Sequence, residues 1–245
     1  MDIVFLGTNG WFDTHTGNTS CTLVETKDAY IILDAGSGIY KTYDIIKGKK
    51  PVYLLLSHLH LDHIIGLQVL PLFKWAGGLT IITPGGMQKE LAAIMRPPFM
   101  PLPENLKTKI TITGFGKAKN LPFKLTALPM AHAVPTLGYR IEADGKILAY
   151  ASDSGVNENI VKLAQNADLL ITECSYLPGE APDNNHLNPE QAAASAAQAD
   201  AKVLALIHFK ADVYTNMQTR DAAMAAAGAI FPHTIAPYDG DNICV

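Results

Sequence analysis

Cysteine is scarce in this chain of 245 residues: Cys21, Cys174 and Cys244 are odd in number, far apart and form no C-x-x-C pair. That argues against a disulfide framework and a cysteine-built structural zinc, and it fits a reducing, cytoplasmic setting. Each thiol is expected to serve as a small buried hydrophobe. Long apolar runs are missing too. The longest candidates are broken by His, Lys or Gly within about ten residues, too short for a membrane span. The opening Met1-Asp2-Ile3-Val4-Phe5-Leu6-Gly7 has no basic stretch and reads as a first strand rather than a signal peptide. Basic blocks are absent, and 19 Lys and Arg against 23 Asp and Glu give a net charge of −4. Broad electrostatic capture of nucleic acid is therefore disfavoured, leaving only a local basic patch for such a role. What is plentiful is ordinary core material: 48% of residues are apolar and 17% charged, ample to bury a core at this length.

Against that background one hexapeptide stands out. His58-Leu59-His60-Leu61-Asp62-His63 directly follows the apolar run Val52-Tyr53-Leu54-Leu55-Leu56-Ser57. On an extended backbone, side chains at i and i+2 project from one face, so His58 and His60 can grip the same ion. Asp62 and His63 then fall at the mouth of the next helix, where they can face a second one. Imidazole and carboxylate together suit zinc, and also manganese or iron. A lone histidine is more often a surface or satisfied core residue; four such side chains in six positions point to metal.

The remaining pattern alternates strands with helices. Apolar or alternating runs predict strands at 2–7, 21–26, 29–34, 52–57 and 79–83, with helices at about 63–73 and 86–95. Residues 96–103, with four prolines, read as a loop. Its Phe99 and Met100 lie either over a pocket or on a rigid surface connector. Strands at 109–113, 122–129, 137–143 and 146–151 follow, with a hairpin turn at Asp144-Gly145. A helix at 157–165, a strand at 168–172, an alanine-rich helix capped by Asn188 with Pro189 at its first position, a strand at 202–207, a helix at 218–228 and a strand at 229–235 complete the order. No stretch resembles an interdomain linker, so residues 1–245 are expected to form one α/β domain.

Three further metal-competent residues close apolar strands: His132 after Met130-Ala131, Asp153 in Ser152-Asp153-Ser154-Gly155, and His208 after Val203-Leu204-Ala205-Leu206-Ile207. Strand C-termini are where open sheets present ligands and active sites. Singly, each is also an acceptable cap or turn residue.

The order His-x-His-x-Asp-His, then His, Asp and His, running over nearly the whole chain, resembles the metallo-β-lactamase-fold hydrolases. Gly7-Thr8 and Asp34-Ala35-Gly36 resemble the same superfamily. The likeness implies a four-layer αβ/βα sandwich of two mixed β-sheets flanked by helices, of α+β character, with metals at one edge. It implies His58, His60 and His132 on one divalent ion, Asp62, His63 and His208 on the other, and Asp153 bridging. Zn²⁺ is expected, with Mn²⁺ or Fe²⁺ as alternatives. Asp34 would be a buried carboxylate that accepts from a ligand imidazole.

Within that superfamily, His132-Ala133-Val134-Pro135-Thr136-Leu137-Gly138-Tyr139-Arg140-Ile141-Glu142 is similar to the ribonuclease Z-like phosphodiesterase branch. So are Ile171-Thr172-Glu173-Cys174 and His186-Leu187-Asn188-Pro189, which match its glutamate and histidine near the scissile phosphate. Read alone, Glu173 also fits an exposed strand terminus and His186 a loop residue beside a helix cap, though the functional role is the favoured reading. The tRNA-processing members carry a long arm between the third histidine and the bridging aspartate, whereas Ala133 to Ser152 here read as a tight hairpin. Short cyclic-phosphate phosphodiesterases are similar as well, but the cysteines of their structural zinc are missing. The expected substrate is a small phosphodiester or short single-stranded nucleic acid rather than full tRNA, and a homodimer is expected by likeness.

The mechanism so implied places two ions about 3.5–4 Å apart, with a metal-bridging hydroxide as nucleophile. Asp62 would orient it or take its proton, and Glu173 would orient His186 as proton donor. Trp11 and Phe12 either stack on a base or pack; His15 is a candidate substrate contact and His233 a structural residue. Two other readings share the donor set: lactone, thioester or amide hydrolysis, in which Glu173 and His186 are dispensable, and iron-based redox chemistry.

Overall fold

A computed structural model describes all 245 residues. The strands run β1 (Asp2–Gly7), β2 (Asn9–Gly10), β3 (Cys21–Glu25), β4 (Tyr30–Leu33), β5 (Val52–Leu55), β6 (Leu79–Thr83) and β7 (Ile110–Gly114). They continue as β8 (Lys124–Pro129), β9 (Leu137–Ala143), β10 (Lys146–Ala151), β11 (Leu169–Glu173), β12 (Leu204–Ile207), β13 (Phe209–Lys210), β14 (Thr234–Ile235) and β15 (Asn242–Cys244). The helices are α1 (Thr42–Ile45), α2 (Leu61–Ile64), α3 (Gln88–Ile94), α4 (Glu158–Ala164), α5 (Pro189–Gln198) and α6 (Met217–Gly228).

Two mixed sheets result. One has the order β15-β1-β3-β4-β5-β6-β7, the other β14-β12-β11-β10-β9-β8, and β13 pairs with β2 apart from both. Neighbours β4, β5, β6 and β7 are parallel, as are β10, β11, β12 and β14. Strands of this kind must bury both faces, and their unbroken apolar sequences follow from that.

The pleat sorts each strand between two layers. Ile31, Leu33, Leu55 and Ile82 of the first sheet meet Ile141, Leu148, Ile171 and Ile207 of the second in a common core. Ile32, Leu54 and Ile81 point the other way, onto Ile39, Leu67, Leu70 and Leu91. Leu170, Leu204 and Leu206 likewise face outward, onto Ile160, Leu163, Ala192, Ala196, Ala223 and Ala227. Each fully buried Leu or Ile contributes about 1.5–3 kcal/mol by leaving water. The outcome is the αβ/βα sandwich of the expected fold.

Local rules set the second sheet's helices. Asn157, Asn188 and Asn216 each cap the helix that follows by accepting a backbone N–H, and Asn188 with Gln191 forms a capping box. A cap of this type stabilises by about 1 kcal/mol. The Asp144-Gly145 turn has φ of 54° and 72°, the two left-handed residues that a tight two-residue hairpin needs.

Several expectations need correction. The helix expected at 63–73 begins at Leu61 and changes to 3-10 geometry over Ile65–Leu72. The His63 carbonyl accepts from Ala35 and the Gly66 N–H donates to the Ala35 carbonyl, so neither is free for an α-helical ladder. Pro71 has no N–H to offer. The last strand shrinks from 229–235 to Thr234–Ile235, because residues 229–231 still bond back to α6. The chain then runs on to β15, which pairs with β1. Cys21 and Cys174 are buried, but Cys244 is exposed on that edge strand. No helix is long and apolar enough to cross a membrane.

Candidate metal centre

The candidate ligands gather at one edge of the sandwich, beyond the C-terminal ends of β5, β10 and β12 and in the β8–β9 connection, with Asp34 and Glu173 at the ends of β4 and β11 beside them. The strand expected to run to Ser57 stops at Leu55, so His58 and His60 stand on a loop rather than on a pleat. Their rings nevertheless lie 4.5 Å apart.

Seven side chains converge as two trios joined by an aspartate. His60 Nδ1 and His132 Nε2 are 3.3 Å apart, and Asp153 Oδ2 lies 3.9 Å from His58 Nε2 and 3.8 Å from His132 Nε2. On the other side, His208 Nε2 is 3.2 Å from His63 Nε2 and 3.3 Å from Asp62 Oδ2. Asp153 Oδ1 is 3.3 Å from His63 Nε2 and 3.2 Å from His208 Nε2. One carboxylate oxygen thus faces each trio. Within the sets His58, His60, His132, Asp153 and Asp62, His63, His208, the donor atoms lie within 4.8 Å of one another.

The hydrogen bonds around His58 fix where its ring protons lie. The Ser57 hydroxyl donates to Asp34 at 2.7 Å, so it accepts from His58 Nδ1–H at 3.0 Å. His58 Nε2 then carries a bare lone pair, and it is buried without any hydrogen-bond partner. Burial, with His63 nearby, lowers the His58 pKa to about 2, so the ring is neutral. Leaving a buried acceptor unmade costs about 1–3 kcal/mol. A cation at the centre of the donors satisfies it, and the donor set fits zinc-like ions.

The second trio is the more anionic. Burial opposes charge on His63, yet Asp153, Asp34 and Asp62 raise its pKa, and Asp153 and Asp62 do the same for His208. Asp62 and Asp153 are in turn held low, against burial, by the neighbouring histidines. The field there favours positive charge, whether proton or metal.

Around the seven lie the residues that aim them. Asp34, fully buried with φ of 57°, accepts from His63 Nδ1 at 2.8 Å, Tyr150 Oη at 2.6 Å, and the Ser57 N–H and hydroxyl at 2.7 Å each. Glu173 is also fully buried. It accepts from the Ser154 N–H at 2.7 Å, Ser175 Oγ at 2.6 Å and His186 Nδ1 at 2.9 Å. Burial works against a charged His186, but the hydrogen bond and charge of Glu173 win and raise its pKa to about 9. His186 stacks on His208 with ring centroids 6.0 Å apart.

These groups open on a cavity of about 290 Å³ whose lining includes Trp11, His60, Asp62, His132, Asp153, Ser175, His186, His208 and Lys210. Phe12 lines an adjoining groove with Leu61 and Ile65 rather than the cavity itself. His15 and the 96–103 loop are not part of the cavity lining, and His233 is exposed. The sequence reading missed Ser175 and Lys210. Ser175 sits two residues after Glu173, a spacing that could have drawn attention to it; Lys210 gave no signal.

Residues 30–209 match the family model described as the Beta-lactamase superfamily domain. A ribonuclease Z of Bacillus licheniformis is 27% identical, over 98% of this chain and 97% of that one. The crystal structure of the metallo-beta-lactamase fold protein YhfI from Bacillus subtilis superposes with a TM-score of 0.82 at 23% identity, covering 99% and 98% of the two chains. Human tRNase Z, short form, gives 0.77 at 21% identity, covering 100% and 99%.

Proposed function

From its place in the beta-lactamase superfamily, to which this chain belongs, we propose that the protein is a dinuclear-metal-dependent phosphodiesterase acting on a small phosphodiester or a short single-stranded nucleic acid. His58, His60 and His132 would hold one ion and Asp62, His63 and His208 the other, with Asp153 giving one oxygen to each. Zinc suits these donors, with manganese or iron as alternatives. When bound, the pair would supply a water acidified to near neutrality and Lewis-acid stabilisation of charge on the substrate.

The chain's own residues carry the remaining roles. Asp62, whose Oδ2 also accepts the Trp11 N–H at 2.8 Å, is fixed to orient a nucleophile in the cavity. Glu173 holds His186 by Nδ1, which leaves Nε2 to carry a proton to the leaving-group oxygen or a phosphoryl oxygen. Lys210 on the rim adds a cation that suits an anionic substrate.

The observation that carries the phosphate assignment is this buried glutamate gripping His186 beside the donor cluster. Two more speak for a substrate smaller than tRNA. The β9–β10 connection is a two-residue turn, with no arm between His132 and Asp153. The alignment with the B. licheniformis ribonuclease Z runs over 303 positions, more than this chain possesses, so that relative has segments missing here. We read residues 1–245 as one cytoplasmic hydrolase domain, for which family likeness is the sole support for a homodimer.

The test is a substrate panel on zinc-reconstituted protein: bis-p-nitrophenyl phosphate, 2′,3′-cyclic nucleotides and a lactone, with His186→Ala beside Asp62→Ala. The phosphodiesters are expected to turn over and both variants to lose that activity. Lactone turnover that survives His186→Ala, without any phosphodiester turnover, sinks the assignment.

A further inference from the structure

Arg220 of α6 is fully buried, yet it forms no ion pair and its Nε has no partner. Burial lowers its pKa only to about 10, against the pull of Asp239, so it keeps its charge at neutral pH. A charge held this way needs a reason, since burial of an unpaired guanidinium is costly. Its donors go to the segment after β1: Nη1 to Thr8 Oγ1 at 2.8 Å, and Nη2 to Asn9 Oδ1 and, at 3.3 Å, to Thr16 Oγ1. Its guanidinium also covers the Phe209 ring, 4.6 Å from the centroid. Both targets adjoin the second trio.

The two-residue strand β2 pairs with β13, Asn9 opposite Phe209 and Gly10 opposite Lys210. His208 directly precedes this pair and Trp11 directly follows it. Seven non-glycine residues have positive φ; five are Asn or Asp, and the other two are Trp11 at 75° and His208 at 52°. Such strain on bulky residues persists only where the surroundings enforce it. The strained Trp11 aims its N–H at Asp62 Oδ2, 2.8 Å away. Gly10 lies flat against the His208 imidazole, and a Cβ there would meet the ring at 2.5 Å.

We propose that Arg220 is a positioning residue for the second trio: by clamping Thr8, Asn9 and Phe209 it forces the backbone that fixes the Asp62 carboxylate and the His208 imidazole. The proposal rests on the reading that this trio holds an ion. The first trio, His58, His60 and His132, has no contact with the clamp. Arg220 therefore sets affinity at one of the two sites and leaves the other alone.

Zinc uptake measured by elemental analysis and by stepwise competition with a chelator tests this, with thermal melts of the metal-free chains reporting the fold. The wild type is expected to take two ions per chain. Arg220→Gln should weaken the second step about 10–100-fold, the range seen when residues supporting metal ligands are changed, and leave the first within about twofold. Arg220→Lys should fall between. If Arg220→Gln does not fold, Gly10→Ala and Arg220→Lys decide. Gly10 has no positive φ, so alanine there crowds His208 without straining its own backbone, and it too should weaken the second step alone. Folded variants with both steps unchanged, or with both weakened alike, overturn the clamp. A wild-type chain that binds a single ion overturns the two-ion reading as well, so the two failures are distinguishable.

Discussion

Asp34 and Glu173 are the same device built twice, one at the end of β4 in the first sheet and one at the end of β11 in the second. Each is a fully buried carboxylate holding a histidine by Nδ1, at 2.8 Å to His63 and 2.9 Å to His186. Their surroundings differ. Asp34 also takes Tyr150, the Ser152 hydroxyl and both donors of Ser57, and its histidine is sealed from solvent. Glu173 takes two other donors, and the His186 side chain stays 25% exposed beside the cavity. A saturated, sealed pair is suited to hold an imidazole in one fixed orientation. An open pair can exchange a proton with whatever enters.

The largest effect that could break this contrast comes from Asp34→Ala. It strips partners from His63, Tyr150 and Ser57 at once, and breaking a buried charged network costs about 3–5 kcal/mol. Urea denaturation of the metal-free protein should register that loss, together with failure of zinc uptake. An Asp34→Ala chain as stable as the wild type would show that the saturated pair is no scaffold.

Glu173→Gln should act on rate instead. Phosphodiester turnover is expected to fall about 10²–10⁴-fold, the worth of a positioned acid, with zinc content and melting temperature close to wild type. The pH profile sharpens the distinction. A group raised from 6.5 to about 9 is protonated below that window and loses its proton above it. Wild-type turnover should therefore fall as pH rises towards about 9, or somewhat earlier where bound cations oppose the charge. In Glu173→Gln that limb should move down towards the ordinary value. An unmoved limb would mean that Glu173 does not hold the proton on His186.

The smallest effect concerns thiols. Burial, with Asp34 near one and Glu173 near the other, raises the pKa of Cys21 and of Cys174. Alkylation of the native protein, counted by mass spectrometry, should stop at the exposed Cys244. Fast labelling of Cys174 alone would show that the Glu173 side breathes more than its packing suggests.

Much of the site was legible because its signals are local. The hexapeptide 58–63 needs no fold to be noticed, and His132, Asp153 and His208 each follow an apolar run whose period marks a strand end. The strand at 29–34 was legible as well, but its unbroken apolar run does not say which of Ile31, Ile32 and Leu33 faces which layer; the packing decides that. Other features left no such trace. Strands β2 and β13 are two residues long and exist only because Asn9 and Phe209 meet across the chain, so no periodicity announces them. The 3-10 segment after α2 is imposed by bonds to Ala35, and the role of Arg220 depends on a contact 212 residues distant in sequence. Each of these is fixed by tertiary partners rather than by neighbours.

The cluster draws on residues from 58 to 208, carried by both sheets and by the loops between them. Neither sheet supplies a complete trio alone: His58, His60, Asp62 and His63 follow β5 of the first, whereas His132 follows β8 and His208 follows β12 of the second, so the donors come together only once the sandwich has closed. Contacts of such long sequence separation form late and slowly. Ions that recognise only the finished arrangement reward completion of folding, and by mass action the apparent melting temperature should climb with their free concentration. The centre is in this sense a checkpoint for its own scaffold, reporting whether the last strands have docked.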